Sequence, residues 1–398
     1  MSRILALLSA FALAACAPSI ERDAPPLDRL AEAAIPNIPN ARHWSDRTPA
    51  DIDGMVEEMI AQRQASGLDR SVAALAISGG ADDGAFGAGL MAAWTERGDR
   101  PEFPVVTGVS TGALSAPFVF LGPNWDDELQ QIYGGFPSER TFAPRFLLNI
   151  LRQASAAESA PLAALIAEYV DDAFLAEIAR EHRRGRRLYV QTTHLDAQEG
   201  MIWDMGAIAA SGAPNAAEVF RAVLLASASV PGAFPPVLIG VELDGLRHDE
   251  MHVDGGAISQ SALLADWHAD LAGRFSYSAD AAPVIYVIRN GRIGPESKVV
   301  DYDLLAVGGR AAATMIKSQG VDDLLTAHEI GRLRGATVHL TWIGDDFQAD
   351  YPGPFGPAYM TALQRYGRDL ILEGRAWESL PPQLMTDAER QASLVHAR

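Results

Sequence analysis

An apolar run that ends in a G-x-S-x-G pentapeptide constrains the fold more than any other stretch of this chain. Residues 103–106 are mostly apolar, Gly108-Val109-Ser110-Thr111-Gly112 follow, and small helix-compatible residues come next. In this pattern a strand ends in a turn so sharp that a Cβ at either glycine would collide with the returning helix. The serine hydroxyl is left exposed above the sheet. We therefore predict a strand, a tight turn and a helix, with Ser110 as a nucleophile rather than part of a purely structural turn.

A second strand–turn–helix unit lies upstream of the first. Residues 72–77 form the continuous apolar run of a buried parallel strand, and residues 85–94 have helical spacing. The turn between them contains Gly79, Gly80 and Ala81. Such a junction points several free backbone N–H groups at one place. They could hold a phosphate or the oxyanion of an acyl-transfer intermediate, or the loop could be a tight structural turn.

The residues around this loop argue against a nucleotide. No Lys-Ser/Thr follows the glycines, as a P-loop requires. Asp82 and Asp83 would oppose a pyrophosphate. Because a serine elbow follows on the next strand–helix unit, we favour an oxyanion hole with N–H donors among Gly79, Gly80 and Ala81.

The candidate base for the serine is a carboxylate. Asp254 ends an apolar-flanked strand and is followed by Gly255 and Gly256. A carboxylate with small neighbours can accept the serine proton directly, whereas the nine histidines carry no recognisable catalytic signature. His252 lies on the same side of a regular strand and offers a Ser–His–Asp alternative. Neighbours on one strand project side by side, so we expect His252 to have a packing role.

Other polar groups give no cofactor signal. His194 and Asp196 form a local pair that we interpret as a polar loop packing at the rim of the site. The sequence has no zinc spacing and no EF-hand loop. We expect neither a metal nor an organic cofactor.

Three motifs follow one another in order: the glycine-rich loop, the G-x-S-x-G elbow and the D-G-G sequence at 254–256. In this order they resemble the patatin-like phospholipase family. The small-residue and proline-rich stretch at 226–237 is similar to the family segment that precedes the aspartate strand. The resemblance covers about residues 71–270. It implies a doubly wound α/β fold with helices on both faces of a mainly parallel sheet, a Ser110–Asp254 dyad, and a lipid or other acyl-ester substrate.

The chain departs from the usual G-G-G-x-R-G pattern of this family at two positions. Ala81 replaces the third glycine and Asp83 replaces the arginine. Alanine resists a positive φ, and the acid removes a positive charge near a developing oxyanion. This departure motivates a second hypothesis, in which the protein is a non-catalytic envelope lipoprotein that binds lipid or a protein partner.

The first sixteen residues have the pattern of a bacterial lipoprotein signal peptide. Arg3 precedes an apolar stretch at 4–15, too short to span a bilayer, and Leu-Ala-Ala-Cys closes it. Cys16 is the only cysteine of the chain, so lipidation would leave no free thiol. We predict attachment to the bacterial cell envelope through Cys16. By analogy with lipoproteins, Ala17 favours the periplasmic face of the outer membrane.

The remaining chain divides by composition and pattern. Residues 17–70 begin as a proline-rich tether and continue into a helix near 51–65. Residues 71–270 form the catalytic core. Strand and helix patterns alternate from 271 to 398 and complete the same α/β domain. The chain has 32 basic against 51 acidic residues and a net charge of −19, which argues against nucleic acid as a partner; the oligomeric state leaves no mark in the sequence.

Overall fold

The computed structural model describes residues 22–68, 73–134, 160–263 and 282–393. The strands are β1 Arg42–Trp44, β2 Ala73–Ile77, β3 Val105–Val109, β4 Arg187–His194, β5 Glu199–Asp204, β6 Val237–Leu243, β7 Leu246–Asp254, β8 Val284–Arg292 and β9 Thr337–Ile343. The helices are α1 Ile52–Ala65, α2 Gly84–Arg97, α3 Thr111–Leu121, α4 Asp126–Gly134, α5 Ala160–Tyr169, α6 Asp172–Arg183, α7 Met205–Ala210, α8 Ala216–Ser227, α9 Leu304–Arg334, α10 Pro357–Leu372 and α11 Asp387–Ser393. Single 3-10 turns include Ala81–Asp83 and Gly255–Ala257.

The strands form a single sheet whose centre is parallel. Its order is β1-β5-β4-β3-β2-β8-β9, with β7 beside β4 and β6 beside β7. The pairs β4–β3, β3–β2, β2–β8 and β8–β9 are parallel, whereas β1, β5, β6 and β7 add antiparallel pairs. Parallel neighbours end at the same edge, so the turns after β2 and β3 lie side by side. This edge is where α/β proteins place their ligands.

Helices cover both faces of the sheet. Successive buried residues of a strand point to opposite faces, so each face packs against its own helices. Leu75 and Ile77 of β2 belong to the larger core, which also contains Phe86 and Leu90 of α2. Ala76, between them, belongs to a separate cluster with α9 on the opposite face. A strand that is buried on both sides reads as a continuous apolar run. The predicted mixed α/β fold with a mostly parallel sheet is confirmed.

The N-terminal stretch differs from the expected tether. Ile35, Ile38 and Ala41 are buried against the main core, although prolines flank them. Ala34 bridges to Glu242, and the short strand β1 pairs antiparallel with β5 at the sheet edge. The apolar side chains between the prolines therefore hold this stretch on the domain. Cys16 and the rest of the predicted signal sequence lie outside the described residues.

The C-terminal part completes the sheet and adds one helix close to the site. β8 pairs with β2, and β9 pairs with β8. α10 packs along α2 with the two backbones in contact: a Cβ on Gly89 would lie 2.1 Å from the carbonyl oxygen of Gln364. A Cβ on Gly367 would lie 2.5 Å from the carbonyl oxygen of Phe86. Within the described part of the chain, no helix is both long enough and apolar enough to cross a membrane.

Candidate active site

Ser110 occupies the tip of the turn between β3 and α3. Its backbone has φ 55° and ψ −123°, and the residue is 6% exposed. A positive φ at a serine costs on the order of 1–3 kcal/mol and persists only where the surroundings enforce it. Here they do, because a Cβ on Gly108 would lie 2.4 Å from the Gly112 oxygen. A Cβ on Gly112 would lie 2.2 Å from the Ile77 oxygen. The predicted order of strand, sharp turn and helix is present, but Ser110 is buried rather than exposed above the sheet.

The register along β4 brings Asp254 next to Ser110. β3 pairs with β4 as far as Gln191, which lies opposite Val109. From the next residue of β4, the pairing partner on this edge is β7, with Thr192 opposite Asp254. Ser110 follows β3 and Asp254 ends β7, so the two strands meet end to end on one edge of β4. Residues distant in the sequence become neighbours at this junction.

The Asp254 carboxyl is buried and faces the Ser110 hydroxyl. Its Oδ1 accepts the Gly256 N–H at 2.7 Å, while Oδ2 makes no well-formed hydrogen bond within the described residues. Burial raises the pKa of Asp254 to about 7, against the opposing effects of the Ser110 hydroxyl and the Gly256 N–H. Gly255 is required by close approach, since a Cβ there would lie 2.4 Å from the Gln191 oxygen. The carboxyl can thus exchange a proton with Ser110 near neutral pH.

The end of α8 holds the backbone of both residues. The Ser110 N–H donates to Ser227 Oγ at 3.0 Å, and the Ser227 hydroxyl donates to the Gln191 carbonyl at 2.7 Å. Two residues on, the Ser229 carbonyl accepts the Asp254 N–H at 3.0 Å. One short segment therefore fixes Ser110 and Asp254 relative to each other. The sequence indicated this stretch only as a family likeness and gave Ser227 no role.

The glycine-rich loop provides donors that differ in part from the predicted set. The Gly79 N–H donates to the Gln260 carbonyl at 2.9 Å, so it is not available to an oxyanion, and its predicted role is wrong. Gly80 is required by contact, because a Cβ there would lie 2.0 Å from the Asn290 oxygen. Ala81 has a φ of 51°, so alanine does adopt the left-handed backbone at this position. In the described residues, the Ala81 N–H makes no hydrogen bond to the protein.

The residue after the nucleophile provides a donor that sequence reasoning missed. Thr111 is the first residue of α3, and among the described residues no acceptor bonds its N–H. Thr111 and Ala81 both line the cavity at Ser110. In the G-x-S-x-G elbow this position supplies one oxyanion donor, so the pentapeptide itself carried the signal. Gly80 and Ala81 remain predicted donors, with Thr111 added.

Asp82 and Asp83 are bound to the C-terminal part of the chain. Asp82 Oδ2 accepts the Phe355 N–H at 3.0 Å, and Asp83 Oδ1 accepts the Tyr359 hydroxyl at 2.8 Å. Burial raises the pKa of Asp83 to about 7, although the Tyr359 hydroxyl opposes the shift. The acid at the position of the family's arginine is therefore an anchor for Tyr359.

A cavity of about 290 Å³ opens beside Ser110. Ala81, Asp82, Ser110 and Thr111 form its polar part. The rest of the lining is almost wholly apolar: Leu114, Ile132, Tyr133, Leu162, Leu165, Ala228, Val230, Ala233, Phe234, Tyr351, Pro354, Phe355 and Met360. An apolar pocket with few convergent polar groups suits an apolar ligand with one reactive polar centre.

His252 is oriented away from this centre. Its Nδ1 pairs with Thr192 Oγ1 at 3.0 Å, and its Nε2 lies 3.3 Å from Glu250 Oε2. Burial lowers the pKa of His252 to about 4, although Glu250 opposes the shift. Both ring nitrogens thus contact groups other than Ser110 and Asp254. This geometry favours the dyad over the Ser–His–Asp alternative.

The buried cluster of His194, Glu250 and His252 has the spacing of a metal site. One ligand atom from each lies within 4.8 Å of the others. However, the guanidinium of Arg42 bonds both carboxylate oxygens of Glu250, with Nη2 to Oε1 at 2.8 Å. A cation at this position would face that guanidinium. The cluster is better explained as an ion-paired network that joins β1 to β7.

His194 and Asp196 do not form the local pair expected from the sequence. Asp196 binds the guanidinium of Arg22, with Nη1 to Oδ2 at 2.6 Å, and this contact lowers the pKa of Asp196. His194 Nδ1 accepts the Ala197 N–H at 3.3 Å, and its Nε2 lies 3.7 Å from Glu250 Oε1. Asp196 therefore anchors the N-terminal stretch.

Comparison with known proteins identifies the family of one part of the chain. Residues 75–266 match the family model of the patatin-like phospholipases, and this range contains Ser110, Asp254 and the glycine-rich loop. Residues 75–266 therefore form a domain of the patatin-like phospholipase family. Among solved structures, the crystal structure of VipD from Legionella pneumophila aligns at 12% sequence identity over 82% of this chain and 71% of that chain, with a TM-score of 0.37. No curated protein matches the sequence.

The contacts of Ser227 lead to a first prediction. In Ser227→Ala the buried Ser110 N–H and Gln191 carbonyl lose a partner, and each unsatisfied group costs about 1–3 kcal/mol. We expect the rate at which a fluorophosphonate labels Ser110 to fall by about a hundredfold, because small misplacements of a reacting group have effects of that size.

Ser229→Ala is the matched control. Ser229 is buried like Ser227, but its hydroxyl donates only to the Leu225 carbonyl within the helix end. Its own carbonyl, which accepts the Asp254 N–H, is kept. Equal labelling rates in the two variants, with similar thermal stability, would show that Ser227 does not position the nucleophile.

Proposed function

We propose that this protein is a serine hydrolase that cleaves acyl esters of lipids with a Ser110–Asp254 dyad. The observation that carries the proposal is the buried Asp254 carboxyl facing a strained serine at the mouth of an apolar cavity. A patatin-like phospholipase domain supports the broader class of lipid acyl hydrolase.

The geometry suggests how the first half of the reaction proceeds. The ester acyl chain enters the apolar cavity and places its carbonyl carbon beside Ser110. As Ser110 Oγ bonds to that carbon, its proton passes to the Asp254 carboxylate. The N–H groups of Ala81 and Thr111, with Gly80, stabilise the negative charge on the carbonyl oxygen. The C–O bond then breaks, and Asp254 returns the proton to the departing alcohol.

The second half repeats the same proton transfers with water. Asp254 takes a proton as the water oxygen attacks the acyl carbon of the acyl-enzyme. The bond between Ser110 Oγ and the acyl carbon breaks, and the proton returns to Oγ. The free fatty acid leaves and the dyad is restored. No other proton carrier is needed, because one carboxyl serves both halves.

Three substitutions test the assignment of roles. Ser110→Ala should abolish both fluorophosphonate labelling and hydrolysis of nitrophenyl esters. Asp254→Asn should lower turnover by about 10²–10⁴-fold, because an amide cannot accept the serine proton. His252→Gln should retain most of the activity, since the ring contacts Thr192 and Glu250 rather than the dyad. A folded His252→Gln protein as inactive as Ser110→Ala would refute the dyad.

The pH profile provides an independent test. The base must be ionised, and burial places the pKa of Asp254 at about 7, so kcat/KM should rise through pH 7 and level above it. The pKa of His252 is about 4, so a histidine base would give a plateau that begins well below neutrality. A carboxyl base would therefore give the rise in kcat/KM at the higher pH and a histidine base at the lower pH, which reverses the order of their ordinary pKa values. A profile that is flat from pH 5 to 8 would contradict Asp254 as base.

If the wild-type protein neither reacts with a fluorophosphonate nor hydrolyses nitrophenyl esters, the result would support the alternative, a lipid-binding or protein-binding lipoprotein. That hypothesis was motivated by Ala81 and Asp83. Ala81 adopts the backbone that the third glycine would have, and Asp83 bonds Tyr359 instead of facing the cavity. The altered loop therefore leaves the site's geometry compatible with catalysis. In the part of the chain that the structure describes, no observation favours the binding role over the enzymatic one.

We also propose that Cys16 carries a lipid anchor to the bacterial cell envelope, at the periplasmic face of the outer membrane. The lipobox-like Leu-Ala-Ala-Cys sequence supports this. Cys16→Ser should block lipid attachment and leave the signal uncleaved. The measurement is phase partitioning of the chain made in a bacterial host. The wild-type chain should enter the detergent phase, and its recovery in the aqueous phase would contradict the anchor.

A further inference from the structure

Part of the cavity wall comes from outside the patatin-like domain. Residues 75–266 supply most of the lining, but Tyr351, Pro354, Phe355 and Met360 come from the loop before α10 and from its first turn. Met360 belongs to the lining and is 1% exposed, so its side chain lies in the protein interior beside the cavity instead of facing solvent. Here residues 351–360 are termed the C-terminal wall. The shape of the cavity is thus set jointly by the family domain and by this segment.

The wall is bound directly to the glycine-rich loop. The Phe355 N–H donates to Asp82, and the Tyr359 hydroxyl donates to Asp83. Both acceptors belong to the 3-10 turn that starts at Ala81, one of the proposed oxyanion donors. Phe355 has a φ of 57°, a left-handed backbone that needs such a fixed partner. The rings of Tyr351 and Tyr359 pack edge to face at 5.0 Å.

The helix behind the wall is also fixed. α10 lies against α2 through the backbone contacts of Gly89 and Gly367, and α2 begins at Gly84, directly after the 3-10 turn. The wall is therefore held at the loop by two hydrogen bonds and behind it by the helix pair. A rigid apolar wall distinguishes ligands by size, because protein interiors neither compress nor expand freely.

We propose that the C-terminal wall selects the length of the acyl chain, and that Asp82 and Asp83 are the positioning residues that hold it. This inference rests on the proposed function. The cavity of about 290 Å³ is near the lower end of the 300–1,000 Å³ that is usual for small-molecule sites. The substrate class is accordingly an ester of one short or medium fatty acyl chain, limited by the ring of Phe355 and the thioether of Met360.

The experiment compares acyl lengths in the full chain purified in detergent. The substrates are the nitrophenyl esters of butanoate, octanoate and palmitate, and the readout is the ratio of kcat/KM for palmitate to that for butanoate. Phe355→Ala and Met360→Ala should each raise this ratio by about tenfold or more, since a change of pocket size by a few methylenes has effects of this order. Both substitutions enlarge the cavity.

Tyr359→Phe tests the positioning role. It removes the hydroxyl that Asp83 accepts but keeps the ring, so the palmitate-to-butanoate ratio should rise while the chain stays folded. Tyr366→Phe is the matched control on the same helix, because its hydroxyl donates to Asp346 and the residue does not line the cavity. It should keep the wild-type ratio. A ratio that is unchanged in Phe355→Ala, Met360→Ala and Tyr359→Phe would overturn the proposal.

A binding measurement separates this proposal from the proposed function. Dissociation constants of octanoic and palmitic acid are measured in chains carrying Ser110→Ala, with and without Phe355→Ala. A shift of affinity toward palmitate supports the wall even if the active chain hydrolyses no ester, in which case only the proposed function fails. The opposite outcome would refute only the selective role of the C-terminal wall. In that case the wild-type chain hydrolyses esters, but Phe355→Ala leaves the relative affinity for octanoic and palmitic acid unchanged in the Ser110→Ala chain.

Discussion

The structure depends on one backbone contact, between the start of α3 and the end of β2. The Ile77 carbonyl lies where a Cβ of residue 112 would be, so the elbow helix can approach the sheet only with glycine at that position. This contact places the glycine-rich loop after β2 directly beside the serine after β3. The strained backbone of Ser110 and the position of the proposed oxyanion donors follow from the same close approach.

Burial, rather than the presence of a partner charge, sets the chemistry of the site. Desolvation raises the pKa of Asp254 to about 7, which brings this carboxyl into the range where an imidazole ordinarily titrates. The same effect lowers the pKa of His252 to about 4, well below that range. The nearby charge of Glu250 is already balanced by Arg42. Asp254 and His252, both on β7, thus have opposite pKa shifts with one cause.

Segments outside the family domain complete the molecule at both ends. On the N-terminal side, Arg42 and Arg22 bind Glu250 and Asp196, which fastens the proline-rich stretch beside β7. On the C-terminal side, α10 and the loop before it reach the glycine-rich loop. The two departures from the family pattern, Ala81 and Asp83, lie in the part of that loop that meets this addition. The variation in the loop and the added segment therefore form one structural unit.

The local units were predictable from the amino-acid sequence alone. The strand–turn–helix at Ser110, the glycine-rich loop, the strand ending at Asp254 and the mixed α/β class all follow from spacing and glycine placement within a few residues. The packing of distant elements determines which backbone and side-chain groups lack a partner. Gly79 loses its N–H to Gln260, Ser227 gains the Ser110 N–H, and Phe355 reaches Asp82 across a long stretch of chain. Hydrogen bonds between distant residues, and the burial that shifts a pKa, depend on how the elements pack. Neither leaves a periodic or short-range pattern in the sequence.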